Sequence, residues 1–147
     1  MRENGLTIYL AGKMGGLNKN EMTKWRNFVS TELDKYSDAA NYKVSVISPC
    51  GYFNFDEQRH QNEQEIMKFD LGLVHSSDII VVNTNGLNSS IGSAIEIYEA
   101  WKSDIPVIAY DENGDYKTLH SWLKCCITRV EPCVMDMCEY IKDFYMR

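Results

Sequence analysis

Residues 78–110 read DIIVVNTNGLNSSIGSAIEIYEAWKSDIPVIAY, and their reading decides the fold. The first seven, DIIVVNT (78–84), are apolar nearly throughout, as a strand covered on both faces requires. SIGSAIEIYEAWKS (90–103) carries a helical pattern. PVIAY (106–110) is a further strand, introduced by Pro106 and ended by the turn-like DENGD. Strand, helix and strand follow one another with no room for a hairpin, which is the signature of a parallel crossover.

The same alternation continues outward in both directions. LTIYLAG (6–12) is a short apolar run ended by glycines and reads as a buried strand. In NKNEMTKWRNFVSTELDKY (18–36), Trp25, Phe28, Val29, Leu33 and Tyr36 recur at helical spacing, and Asn18 with Glu21 fits a capping box. KVSVIS (43–48) is a β-branched strand stopped by Pro49, and CGYFNFDEQRHQ (50–61) reads as an aromatic-rich loop. NEQEIMKFDLGLVHSS (62–77) is helical, with Ile66, Phe69, Leu73 and Val74 on one face. After residue 110, helical KTLHSWLKC, a short strand ITRVE and helical VMDMCEYIKDFY close the chain. The expected fold is α/β: one domain over residues 1–147, a parallel sheet of about five strands and helices on both faces.

Bulk properties narrow the function. The 147 residues are 44% hydrophobic and 24% charged, as in soluble globular domains. A net charge of −6 argues against a nucleic-acid polymer as partner, while leaving room for a local seat for one phosphate. No apolar run is long enough to span a bilayer, and the N-terminal stretch lacks the pattern of a signal peptide. Five cysteines, an odd number, then read as reduced thiols of a cytoplasmic protein. No CxxC or HxxxH spacing suggests a metal, and no cofactor is expected.

In an open α/β sheet, ligands bind beyond the carboxyl ends of the strands. That rule selects AGKMGG (11–16), SPCGYFNF (48–55) and NTNGLNSSIG (83–92). The first is neither a P-loop nor a dinucleotide fingerprint. It reads either as an amide-rich turn able to wrap an anion or sugar hydroxyl, or as a tight strand-to-helix connection. In the third, Ser89 or Ser90 suits an N-cap, and a helix start favours an anion. Gly92 lies four residues before Glu96, so the two share a helix face and the glycine leaves space beside the carboxylate. Ile91, Ile95 and Tyr98 are expected to face the core, which would turn Glu96 toward a cleft. The bland alternative is close packing at Gly92 with Glu96 solvated. Asp70 is a second carboxylate, set among Met67, Phe69, Leu71 and Leu73. Asp78 opens a strand, where a cap or turn role is the ordinary reading. Two acids in one pocket can divide their roles, the more apolar one becoming the proton donor and the other staying ionised. Cleavage of a glycosidic bond needs such a pair.

These features resemble the nucleoside 2-deoxyribosyltransferase superfamily, which includes 2′-deoxynucleoside 5′-monophosphate N-hydrolases. The resemblance spans residues 7 to about 110 and rests on IYLAGKMGG, FDLGLVHSSDIIVVN, SIGSAIEIYEA and PVIAY. It implies a flavodoxin-like three-layer sandwich and a retaining, two-step mechanism. Glu96 would be the nucleophile at C1′, Asp70 the proton donor to the leaving base, and Tyr9 the residue that orients nucleophile or sugar. Gly12, Lys13, Gly15 and Gly16 would border the sugar and its 5′ group. Tyr52, Phe53 and Phe55 occupy the region where the base stacks, with Phe53 the base-side candidate. Asp78, Ser90 and Gly92 complete the substrate-side set.

The resemblance further implies a nucleoside or nucleoside 5′-monophosphate as substrate, a free nucleobase as partner, and a homodimer or larger homo-oligomer. The transferases approach the catalytic Glu through an Asp-x-Gly-Thr type sequence. Here the form is Ser90-x-Gly92-x-x-x-Glu96, closer to the monophosphate hydrolases, yet Lys13 is the only obvious cation in these loops. Transfer of a deoxyribosyl group to a second base and hydrolysis of a monophosphate both remain open. A catalytically silent nucleotide-binding module is the reading from another class. A phospho-acceptor receiver domain would need an acidic cluster where this chain has AGKMGG.

Overall fold

The computed structural model describes residues 5–52 and 59–147. Five strands form one sheet: β1 (Gly5–Ala11), β2 (Lys43–Ile47), β3 (Ile79–Asn83), β4 (Val107–Tyr110) and β5 (Arg129–Glu131). All pairings are parallel and the order is β2-β1-β3-β4-β5. Among the described residues six helices accompany them: α1 (Lys19–Ala40), α2 (Pro49–Tyr52), α3 (Glu63–His75), α4 (Ile91–Lys102), α5 (Ser121–Cys126) and α6 (Val134–Tyr145). This is the expected flavodoxin-like sandwich. The short helix α2 and a 3₁₀ turn at Asp115–Thr118 stand where a loop and the start of a longer helix were expected.

Side chains alternate across the sheet and so divide the core in two. Ile8, Leu10, Ile79, Val81, Ile108 and Tyr110 pack against α1 and α6. Tyr9, Ala11, Ile80, Val82, Val107 and Ala109 pack against α3, α4 and α5. β3 sits between β1 and β4, and four of its five residues are buried. That double cover explains its unbroken apolar sequence.

The predicted capping box starts α1: the Asn18 side chain accepts from the Glu21 amide at 2.8 Å, and Glu21 accepts from the Asn18 amide at 3.0 Å. α1 ends at Asn41, whose left-handed φ of 52° closes the helix.

The inward faces of the helices differ from expectation. In α4 the buried residues are Ser93, Ile97 and Ala100, while Ile91 is 78% exposed and Ile95 and Tyr98 also face outward. Small side chains let α4 approach the sheet closely, so the larger apolar ones are left outside. In α1, Phe28 is exposed and Arg26 is buried instead. In α3, Phe69 is exposed and Val74 alone is buried.

The strand order reverses between β1 and β3, since β1 leads away to β2 and the chain crosses back to β3. A crevice is expected outside the carboxyl ends of these two strands. No helix among the described residues is long and apolar enough to cross a membrane.

Candidate active site

At that carboxyl edge lies a cavity of about 650 Å³ on the α3–α4 side of the sheet. Its walls come from five places. The β1–α1 loop supplies Gly12 and Gly15, α1 supplies Arg26, and the start of α2 supplies Pro49. Asp70 and Leu71 come from α3; Ser90, Gly92 and Glu96 come from α4 and its N-terminus. Most of the predicted site residues therefore meet, although they are scattered along the chain.

Tyr9 holds the centre. It is fully buried in β1, on the face toward α4, and its hydroxyl donates to Glu96 Oε2. Glu96 projects from the second turn of α4, beside the face that packs on the sheet. Enclosure by protein pushes its pKa up to about 7. The Tyr9 hydrogen bond works against that rise, the Asp70 charge adds to it, and the Arg26 charge opposes it. Glu96, expected to stay ionised, thus sits where its surroundings favour the protonated form.

The glycines serve different ends. A Cβ at Gly12 would lie 2.5 Å from Trp25 Cζ2, so Gly12 lets the indole pack closely on the loop. At Gly15 and Gly92 a Cβ would meet nothing within 4 Å, and both positions open onto the cavity. Gly92 thus leaves space one turn before Glu96, as its spacing predicted. Gly16 has φ of +80°, a turn conformation that favours glycine, and is not part of the cavity wall.

Ser90 occupies the N-cap position of α4 without capping it. Its Oγ donates to Ser93 Oγ at 2.8 Å, and no side chain caps the first turn. The amides there face the cavity end of the helix and suit an anionic or hydroxyl-bearing group.

Besides Gly16, two expected substrate residues stand apart from the cavity. The Lys13 side chain lies over Gly86 and lines a second cavity of about 610 Å³ with Trp25, Asn83 and Tyr110. Asp78 is at the amino end of β3, opposite the site. Its carboxylate accepts from the Thr7 amide at 2.7 Å, and its own amide donates to Thr7 O at 2.8 Å. It ties β3 to β1, and a substrate role is withdrawn. Phe53, with Phe55, lies outside the described residues.

Arg26 was missed. It is 1% exposed and stacks its guanidinium 4.4 Å over the Trp25 ring. Nη1 donates to Met22 O at 2.7 Å and Nη2 to Gly12 O at 3.0 Å. Its place in the sequence held a clue. It lies between Met22 and Val29 at helical spacing, so an arginine occupies the face that turns toward the sheet.

Among the described residues no group of three or more His, Cys, Asp or Glu side chains stands where it could hold a metal ion. The five cysteines are unbonded to one another.

No family model matches the chain, and no curated protein matches it in sequence. Solved structures do match in fold. A conserved protein from Enterococcus faecalis V583 has a TM-score of 0.78 at 18% identity, covering 94% of this chain and 98% of that one. A 2-deoxyribosyltransferase from Bacillus psychrosaccharolyticus has a TM-score of 0.65 at 17% identity, covering 91% of each chain. A CMP N-glycosidase from Clostridium botulinum has a TM-score of 0.52 at 12% identity, covering 94% of this chain and 99% of that one. The chain is similar in fold to a transferase and an N-glycosidase over more than nine-tenths of its length.

Proposed function

We propose that this protein cleaves the N-glycosidic bond of a nucleoside or nucleoside 5′-monophosphate through a covalent glycosyl–Glu96 intermediate. The observation that carries the reading is the Tyr9–Glu96 hydrogen bond at a cavity that Asp70 also lines. The ionised Glu96 carboxylate attacks C1′ and forms a C–O ester bond as the C1′–N bond breaks. The electron pair of that bond leaves with the base, and Asp70 supplies the proton it takes. Tyr9 holds the attacking carboxylate in place and favours its charged form. A nitrogen of a second base then attacks C1′, passes its proton to Asp70 and releases Glu96 as the carboxylate, giving deoxyribosyl transfer.

A second reading, hydrolysis of a nucleoside 5′-monophosphate by water, is favoured by the uncapped start of α4. Ser90, Ser93 and the first-turn amides form a seat there suited to a phosphate. Both readings share the first chemical step and differ in what accepts the sugar.

The reading includes a homo-oligomer. Ile91, Ile95, Tyr98 and Trp101 leave a row of large apolar side chains exposed along α4, and Met67 adds to it from α3. Sedimentation at micromolar concentration would show a dimer or larger species; a monomer removes this part.

The deciding experiment incubates the protein with deoxynucleosides and their 5′-monophosphates, with and without a second free base. Base exchange supports transfer, and base release from monophosphates alone supports hydrolysis. Absence of both, with ligand still bound, leaves the silent binding module. Glu96→Ala should abolish turnover in a folded protein; turnover like wild type in that variant rejects the covalent route.

A further inference from the structure

The mechanism above does not use Arg26, although no other cationic side chain of the described residues lines the cavity. It is an unusual residue to find there. A buried guanidinium costs several kcal/mol of desolvation unless partners surround it. Its two terminal nitrogens are satisfied by carbonyl oxygens, but Nε is buried without a hydrogen-bond partner. An apolar side chain would pack against Trp25 without that cost, so the charge calls for a reason.

The reason is across the cavity. Two carboxylates share this space, and the Asp70 charge favours protonation of Glu96. The proposed chemistry requires the reverse, with Glu96 charged. We infer that Arg26 is a positioning residue of the Glu96 site: its guanidinium ties the Gly12 loop to α1 and, facing the same cavity, biases Glu96 toward its charged form against Asp70. The inference rests on the proposed function for its catalytic meaning, but the electrostatic relationship can be measured without substrate.

The groups that face Glu96 are Tyr9 from β1, Asp70 from α3 and Arg26 from α1. Glu63 of α3 lies on the same cavity wall, and Cys50 stands behind Arg26 with its thiol at 3.8 Å from Met22 O. β4 sends Tyr110 to the other side of the sheet, beside Trp25. His75 and Lys102 pair with Glu99, and Lys124 of α5 bonds to Lys117 O. Among the described residues, Arg26 is therefore the cation of the cavity wall that opposes the Asp70 charge at Glu96. Burial pulls its own pKa below the usual arginine value, while Cys50 and Glu96 act to keep it charged.

The test is a titration of Glu96 in substrate-free protein carrying ¹³C-labelled glutamate side chains, with Glu96→Gln to assign the signal. Arg26→Gln keeps a neutral donor near the Gly12 carbonyl, and Arg26→Met replaces the charge with apolar bulk. Either should raise the Glu96 midpoint measurably, whereas Arg26→Lys should stay close to wild type. An unchanged midpoint in a folded neutral variant overturns the inference. Where neither neutral variant folds, Arg26→Lys decides, because a full-unit rise there also overturns it. The acid limb of kcat should shift with the midpoint, costing about tenfold at pH 6 per unit. A moved midpoint in a protein that turns over no nucleoside rejects the proposed function and leaves this relationship standing. Turnover with an unmoved midpoint does the opposite.

Discussion

The Tyr9 hydroxyl donates a hydrogen bond to the Glu96 carboxylate, joining the fully buried middle of β1 to the second turn of α4, 87 residues later in the chain. Of the influences on Glu96 that favour its charged form, this bond is the largest. A hydrogen bond to a charged group contributes about 1.5–3 kcal/mol, equivalent to roughly 10–100-fold in rate if it matters in the transition state. Tyr9→Phe should therefore fold, lose activity on that scale, and move the acid limb of its pH–rate profile upward. A profile that coincides with wild type would show that the bond is incidental.

Glu96 also ties stability to pH. Its folded value of about 7 lies above the ordinary carboxylate range, so the folded state binds its proton more tightly than the unfolded chain does. Its contribution is fully present below the unfolded carboxyl pKa and is lost as pH rises through about 7. Glu96→Gln removes that loss. Relative to wild type, the variant should gain stability between pH 5 and pH 8, by something on the order of 2 kcal/mol. Urea melts at the two pH values measure this, and an identical difference at both would mean that Glu96 titrates normally. The same ionisation makes wild-type turnover rise with pH through about 7.

The packing of Gly12 against Trp25 gives a prediction about the fold alone. A methyl group there would lie 2.5 Å from Cζ2 of a ring that is held between the loop, Arg26 and Tyr110. Gly12→Ala should cost about 1–3 kcal/mol, the usual scale for overpacking. Thermal unfolding tests it, and a variant as stable as wild type would mean that the indole moves aside freely.

How much of this could be read beforehand follows from which forces act locally. The strands were legible because Ile79–Val82 are covered on both faces and so cannot tolerate polar residues. The Asn18–Glu21 capping box was legible because its partners are three residues apart. Glu96 and Gly92 were legible from one turn of helix spacing. The orientation of α4 was not, because the sheet selected the small residues Ser93 and Ala100 over the more hydrophobic Ile91 and Tyr98. Arg26 escaped notice because its role depends on a carboxylate 70 positions away in the sequence. Lys13 was misjudged because a loop sequence does not say which side of the sheet its side chain takes, and here it crosses to Gly86.

Gly92 separates function from stability. It lies in the first turn of a twelve-residue helix, and a Cβ there meets nothing within 4 Å. Gly92→Ala should therefore hold or raise stability, by up to about 0.5–1 kcal/mol from helix propensity. The new methyl group would enter the space beside Glu96, so KM should rise in the same variant, and a leucine at that position should block binding. Unaltered KM in the leucine variant would place the sugar elsewhere.

Ser90 tests which substrate the cavity takes. An N-cap serine usually stabilises its helix through a bond to a backbone amide, and its loss costs about 0.5–2 kcal/mol. Here Ser90 bonds to Ser93 Oγ, so Ser90→Ala gives up no bond to a helix amide and should cost less than that. Its effect on ligands should be selective. If the first turn of α4 receives a phosphate, the hydroxyl contributes one hydrogen bond to a charged group, and KM for a monophosphate should rise roughly tenfold or more while KM for the nucleoside barely moves. If the same site receives a 5′-hydroxyl, the nucleoside should be the substrate that suffers. The ratio of the two kcat/KM values, wild type against Ser90→Ala, reads this directly and is insensitive to any general loss of active protein. A ratio unchanged by the substitution would mean that the 5′ end does not reach Ser90, and the phosphate seat would have to be sought among the other groups of the cavity wall.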